Sequence, residues 1–204
     1  MEIQNAPSLE ERVKILTEGA KFDVSCSSSG SARQAQKGSI GACHAAGLCH
    51  SFTSDGRCIS LIKLLLTNNC RFDCAYCVNR RSNDVRRASL TPKEICELVI
   101  GFYRRNYIEG LFLSSAIEIS PDYTMQKLIE TIILLRVEYK FRAYIHVKAI
   151  PGASGHLIDE AAKYADRMSV NIELPSESSL GLLAPQKKKD MITAPMKRLS
   201  KITA

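Results

Sequence analysis

Residues 58–77 read CISLIKLLLTNNCRFDCAYC. The segment 58–69 is a dense apolar run with a polar end, the pattern of a strand buried on both faces of a parallel sheet. Directly after it, Cys70, Cys74 and Cys77 stand at C-x3-C-x2-C spacing. A structural zinc site closes with four ligands, and a fully ligated iron–sulfur cluster with four thiolates. Three thiols on one short loop therefore imply a metal centre with one position left open to a substrate or cofactor. Zinc and a redox thiol cluster are the alternatives at this point.

Downstream, the pattern repeats. TPKEICELVIGFYRRN (91–106) is helical, with Thr91 as N-cap, Pro92 at the first helical position and Glu94 completing a capping box. EGLFLSSAIEIS (109–120) is a second buried strand, and PDYTMQKLIETIILLRVEYK (121–140) a long helix opened by Pro121. FRAYIHVKAIPG (141–152) is a third strand, GHLIDEAAKYAD (155–166) a helix capped by Ser154, and RMSVNIELPSE (167–177) a fourth strand. The remaining residues are helical pieces broken by Pro185 and Pro195. Strand and helix alternate four times, which predicts parallel βαβ units. An open doubly wound sheet and a βα barrel both satisfy this. No G-x-G-x-x-G follows the first strand, so the dinucleotide-binding variant loses support. The cysteine loop lies where a βα barrel builds its active site, after the C-terminal end of a strand.

Upstream, SLEER opens a helix with Ser8 and Glu11 as a capping box, ending near Gly19. Residues 25–57 are rich in Ser, Gly, Ala and Cys and read as loop with short helical pieces. The domain division expected is a Cys-rich, mostly irregular extension over 1–57 and a core over 58–204.

A chain of 204 residues with 45% hydrophobic content supports one domain with a sizeable core. No apolar run approaches the ~20 residues that span a bilayer, and MEIQNAPSLEERVK lacks the apolar centre of a signal peptide. A cytoplasmic location is expected, where cysteines are thiols or metal ligands rather than disulfides. Of the eight cysteines, seven lie between Cys26 and Cys77. The formal charge is +7, with basic residues concentrated in NRRSNDVRR (79–87), QKKK and MKRLSK. That balance fits nucleic acid, phosphate-bearing substrates or simple solubility.

The C-x3-C-x2-C loop after the first strand, with Tyr76 just before the last cysteine, resembles the radical S-adenosylmethionine superfamily. The wider wording narrows the resemblance: CHSFTSDGRCISLIKLLLTNNC, CAYCVNRRSND, GLFLSSAIEISPDYTM, IHVKAIPGAS, DRMSVNIELPSE and LLAPQKKK are similar to a bacterial family within it, described as DNA modification or repair radical enzymes. The resemblance implies a partial TIM-type (βα) barrel of α/β class, with about four βα units. It implies that Cys70, Cys74 and Cys77 hold a [4Fe–4S] cluster whose fourth iron binds S-adenosylmethionine. An external donor such as flavodoxin or ferredoxin would supply the electron that cleaves the cofactor to a 5′-deoxyadenosyl radical, and the protein would position the cofactor and exclude water.

The same resemblance places Tyr76 beside the adenine. Where the superfamily has a Gly-Gly-Glu stretch, this chain has Ser114, Ser115 and Ala116, with Glu118 beyond; either the serines or their carbonyls contact the methionine amino group, or the small residues only let the strands pack. Lys148, one pleat beyond His146 on the same face of strand three, meets a cofactor carboxylate or a structural ion-pair partner. Asn171 and Glu173, on one face of strand four, match pairs that bind the ribose hydroxyls. Arg80, Arg81, Arg86 and Arg87 follow the cluster loop and give a phosphate-binding rim for DNA. Cys43, His44, Cys49, His50 and Cys58 are candidates for a second metal or, since their spacing matches no zinc pattern, free buried thiols near the site mouth, whereas Cys26 and Cys96 are packing residues. The superfamily core has six βα units against four counted here. A C-terminal truncation is therefore expected, with one flank of the cofactor pocket unbuilt and weak turnover. The rival reading is a non-catalytic iron–sulfur nucleic-acid-binding module.

Overall fold

The computed structural model describes residues 7–20, 22, 48–52 and 56–202. Five strands form one sheet in sequence order: β1 (Leu48–Phe52), β2 (Cys58–Leu65), β3 (Gly110–Ser114), β4 (Tyr144–Lys148) and β5 (Arg167–Ser169). β2 to β5 are mutually parallel, in register through Lys63↔Phe112, Phe112↔His146 and His146↔Arg167. Helices α1 (Leu9–Ala20), α2 (Pro92–Arg104), α3 (Pro121–Ile133) and α4 (Gly155–Ala162) precede or link these strands, and α5 (Glu177–Leu183) and α6 (Lys189–Ile202) follow them. The expected partial βα barrel is the fold observed.

The helix starts obey the capping chemistry of the sequence. Ser8 and Glu11 exchange backbone–side-chain bonds at 2.9 and 3.2 Å, and Thr91 and Glu94 do the same at 2.8 and 3.2 Å. Such a cap contributes about 1 kcal/mol. Ser154 departs from this. It occupies the N-cap of α4 without capping it, and its N–H and Oγ donate instead to the two Asp122 oxygens at 2.6 Å each. The residue that starts α4 thereby fastens it to the first turn of α3.

Alternate strand residues divide the sheet into two faces. Ile62, Leu64, Leu111, Leu113, Ile145 and Val147 face α1 to α4 and form the main core with Val99, Leu128, Ile132 and Ile158. Ile59, Leu61 and Phe112 lie on the opposite face with Cys49. That face also buries three cationic or titratable groups, Lys63, His146 and Lys148. The Phe112 ring stands edge-on to His146 at 4.5 Å, with Lys63 Nζ 5.3 Å from its centroid. His146 Nε2 reaches Ser169 Oγ at 2.8 Å.

Four expectations are corrected. Leu48–Phe52, expected as loop, is a strand paired antiparallel with β2 from Leu48↔Ile62 to Phe52↔Cys58. LCHSF is weak in strand formers, and the pairing comes from the exposed ladder of β2. The helix expected over 121–140 stays α only to Ile133 and continues as a π-helical turn, Leu134–Glu138. Pro195 lies inside α6 rather than breaking it. It has no N–H for the Met191 carbonyl one turn back, and that carbonyl accepts the Gly152 N–H at 3.2 Å instead. Finally, β5 ends at Ser169, so Asn171 and Glu173 stand in the loop beyond it.

Candidate metal and cofactor site

At the C-terminal ends of β2, β3 and β4 the chain encloses a cavity of about 810 Å3. Cys70, Cys74 and Cys77 all line it, as do Tyr76, Ser114, Ser115, Lys148, Asn171 and Glu173. The volume lies within the range that holds a small-molecule ligand.

The cysteine loop is built from short turns. Cys77 N–H donates to the Cys74 carbonyl at 2.9 Å, and Arg80 N–H to the Cys77 carbonyl at 3.2 Å. Arg71 N–H donates to the Ile117 carbonyl at 2.7 Å, which pins the loop to the end of β3. Asp73 accepts from Ser82 N–H at 3.0 Å and Oγ at 2.7 Å, and these bonds hold its carboxyl below the usual range. Cys74 is buried, while Cys70 and Cys77 are half-buried. Burial pushes the Cys74 and Cys77 thiols up.

Among the described residues, no three His, Cys, Asp or Glu side chains converge on a single ion. Three soft donors around an open cavity fit an iron–sulfur cluster. The candidate second metal fares differently. Cys49 pairs with Leu61 and Cys58 with Phe52, so the two cysteines point to opposite faces of the β1–β2 pair, one buried and one exposed. They cannot share an ion. Cys26, Cys43 and His44 lie outside the described residues, as does the side chain of His50. Cys96 packs in the core, its thiol donating to the Thr131 carbonyl at 3.5 Å and pushed up to about 12 by burial.

Glu173 is the hub of the cavity wall beside the cysteine loop. It adopts a left-handed backbone, φ 65°, which is rare for a residue with a Cβ and marks a site that its surroundings over-determine. One carboxylate oxygen accepts from Tyr76 Oη at 2.7 Å, the other from Lys187 Nζ at 2.8 Å. Burial and then the Glu173 carboxylate raise the Tyr76 phenol above its ordinary range.

Nothing in QKKK, whose charge fits nucleic acid, phosphate-bearing substrates or simple solubility alike, singles out Lys187 as a residue of this site. The turn between α5 and α6 folds back onto the cysteine loop: Ala75 N–H donates to the Leu183 carbonyl at 2.7 Å, and Asp73 N–H to Gln186 Oε1 at 3.3 Å. Leu180, Ala184 and Ile192 bury Cys74 in a small apolar cluster. This turn thus carries Lys187 into the cavity lining.

Ser114 is buried, and its carbonyl accepts from Leu66 N–H at 2.9 Å; Ser115 Oγ donates to the Ala116 carbonyl at 2.7 Å. Glu118 does not line the cavity; its N–H donates to Thr124 Oγ1 at 3.1 Å.

The four arginines separate. Arg80 lines the cavity and donates to Asn83 Oδ1 at 2.8 Å. Arg81 is exposed, and Arg86 is exposed beside Glu11 at 3.7 Å. Arg87 is withdrawn from any rim: its two terminal nitrogens donate to the carbonyls of Asn68, Asn79, Arg80 and Asn83 at 2.7–2.9 Å. Its guanidinium holds the loop together.

The family profile described as the Radical SAM superfamily matches residues 64–202, well over half of the chain. This chain belongs to the radical SAM superfamily. Members of the superfamily use a [4Fe–4S] cluster and S-adenosylmethionine. Similar solved structures include HydG, a maturase of the [FeFe]-hydrogenase (17% identity, TM-score 0.55, covering 67% of this chain and 31% of that one). Methylornithine synthase, PylB, aligns at 13% identity and TM-score 0.57, over 67% of this chain and 40% of that one. HydG from Carboxydothermus hydrogenoformans aligns at 20% identity and TM-score 0.57, over 68% and 32%. At these identities the likeness is one of fold. The chain spans between about a third and two fifths of the length of these structures. No curated protein matches the sequence significantly. Among the described residues no helix is long and apolar enough to cross a membrane.

Proposed function

We propose that this chain forms the core of an enzyme that reductively cleaves S-adenosylmethionine and directs the resulting radical chemistry at nucleic acid. The observation that carries the first half is the meeting of Cys70, Cys74 and Cys77 with Tyr76, Lys148, Asn171 and Glu173 around one cavity. The three cysteines hold the [4Fe–4S] cluster, which when bound supplies the electron that splits the cofactor's carbon–sulfur bond.

The chain's own residues do the rest by binding and exclusion. Tyr76 lies against the adenine. Glu173 and Asn171 accept and donate at the ribose hydroxyls, for which Glu173 exchanges its bond from Tyr76 or Lys187. Ser114 and Ser115 offer oxygens to the cofactor amino group, and Lys148 and Lys187 offer cations to its carboxylate. The apolar lining from Leu65, Ile117 and Ile150 limits water at the reacting atoms.

The test is anaerobic reconstitution with iron and sulfide, then incubation with the cofactor and dithionite. About four irons per chain and 5′-deoxyadenosine are expected. C70A, C74A and C77A should each abolish both, and a full cluster in the triple variant would sink the assignment. Nucleic acid as substrate rests on Arg80 in the cavity lining, on the exposed Arg81 and Arg86, and on the overall charge of +7. Phosphate contacts release counterions, so binding of a DNA duplex should fall steeply with salt, and R80A/R81A/R86A should flatten that slope. Binding indifferent to both salt and these substitutions would remove DNA from the proposal.

A further inference from the structure

We propose that Lys187 sets the electrostatic environment of the three-cysteine centre, and with it the potential at which a cluster bound there accepts an electron. The inference rests on the reading that Cys70, Cys74 and Cys77 hold a [4Fe–4S] cluster.

Placement comes first. Lys187 closes a turn whose preceding residues are bonded and packed onto the cysteine loop: Leu183 to Ala75, Gln186 to Asp73, and Ala184 in the apolar cluster that buries Cys74. Its own N–H donates to the Ala184 carbonyl at 2.8 Å. The side chain is only 11% exposed and lines the same cavity as the three sulfurs. A charge so placed is little screened by water or salt, and acts at low effective dielectric. The ammonium is held by one carboxylate, Glu173, itself 10% exposed and fixed from its other oxygen by Tyr76. The cation therefore has one geometry rather than many.

Taking up an electron adds one negative charge to the centre. A fixed cation beside it favours the reduced form and raises the potential, whereas a fixed carboxylate lowers it; net charge near the sulfurs is among the terms that tune such clusters. The two members of the pair thus act with opposite sign. The step is a one-electron transfer from an external reductant to the oxidised centre, with no bond made or broken and no proton required.

The experiment is a redox titration of reconstituted protein without S-adenosylmethionine, read by electron paramagnetic resonance, on the wild type, K187Q, K187R and E173Q. Iron and sulfide are counted first. A wild type that takes up no cluster overturns the cysteine assignment itself; a wild-type cluster whose potential ignores these substitutions overturns this inference alone. K187Q is expected to move the midpoint to a more negative value, E173Q to a more positive one, and K187R to stay near the wild type. Shifts of K187Q and E173Q in the same direction would mean that the pair acts only as a structural tie. Should K187Q fail to take up iron, E173Q decides: a midpoint unchanged or lowered overturns the proposal.

Discussion

Gly152 shows how one residue fixes a turn at the edge of the cavity. Its φ is +84°, in the left-handed region where a Cβ is costly. A Cβ there would also collide with the Met191 methyl group. Meanwhile its N–H satisfies the Met191 carbonyl that Pro195 leaves open. Gly152→Ala is therefore expected to cost about 1–3 kcal/mol, from backbone strain plus displacement of α6, read as a lowered thermal midpoint. P195A should recover far less than the ~3 kcal/mol an interior proline commonly costs, because the orphaned carbonyl already has a partner. An unchanged midpoint in G152A would mean that α6 is not anchored at this turn. None of this was legible in the sequence: Gly152 read as a strand end and Pro195 as a helix break. Only the fold brings position 152 onto position 191. Lys187 was hidden for the same reason, since a lysine within KKK carries no local sign of burial. The cysteines, by contrast, were legible because their chemistry depends on spacing within one loop.

Elements were legible where the signal was local and lost where it was tertiary. The starts of α1, α2 and α3 were written in Ser8, Thr91 and Pro121, and β2, β3 and β4 in their apolar runs. β1 exists because β2 offers it a ladder, and LCHSF alone does not ask to be a strand. The docking of α1 on α2 gives an element-scale prediction. Arg12 reaches Glu94 through two bonds, at 2.6 and 3.1 Å, and also the Ser89 carbonyl at 2.9 Å. The Arg12 guanidinium, and after it the Thr91 bonds, hold the Glu94 carboxyl at about 2 against an ordinary 4.5. A depressed carboxylate stabilises the fold fully above its ordinary value, and that stabilisation is lost as pH falls from about 4.5 towards 2. Both side chains are about a quarter exposed, so after screening the contribution is about 1–2 kcal/mol. Thermal midpoints should fall more steeply over this window in the wild type than in E94Q. Parallel slopes would mean that the α1–α2 tie carries no net stability.

At the scale of the molecule, the described residues reduce to a sheet of four parallel strands with an antiparallel edge strand, covered by helices on one face, with a cavity at the C-terminal ends of the parallel strands closed partly by residues far along the chain. The cysteines come from the loop after β2, the serines from β3, Lys148 from β4, Glu173 from beyond β5 and Lys187 from between α5 and α6. A site so assembled depends on α5 staying docked on the cysteine loop, and the apolar cluster that docks it there is small: Leu180, Ala184 and Ile192, each fully buried around Cys74; α6 is held besides by the Gly152 N–H on the Met191 carbonyl and by Arg198 on Asp159. The main core beneath the sheet is a separate cluster. The two should therefore loosen independently. Leu180→Ala removes a buried side chain whose loss costs about 2–4 kcal/mol where the site cannot collapse. That cost should fall on the docking of α5 before it falls on the sheet. Amide exchange separates the two cases. The Ala75 amide is protected by the Leu183 carbonyl, on α5 itself, whereas Leu113 lies inside the sheet, paired with Leu64 of β2 on one side and Val147 of β4 on the other. In L180A the Ala75 amide should exchange many-fold faster while Leu113 keeps its protection, and reconstituted iron should fall with it, since Cys74 loses its cover. Equal acceleration at both positions would mean that α5, α6 and the sheet unfold as one unit, and that the cavity wall is as stable as the core it stands on.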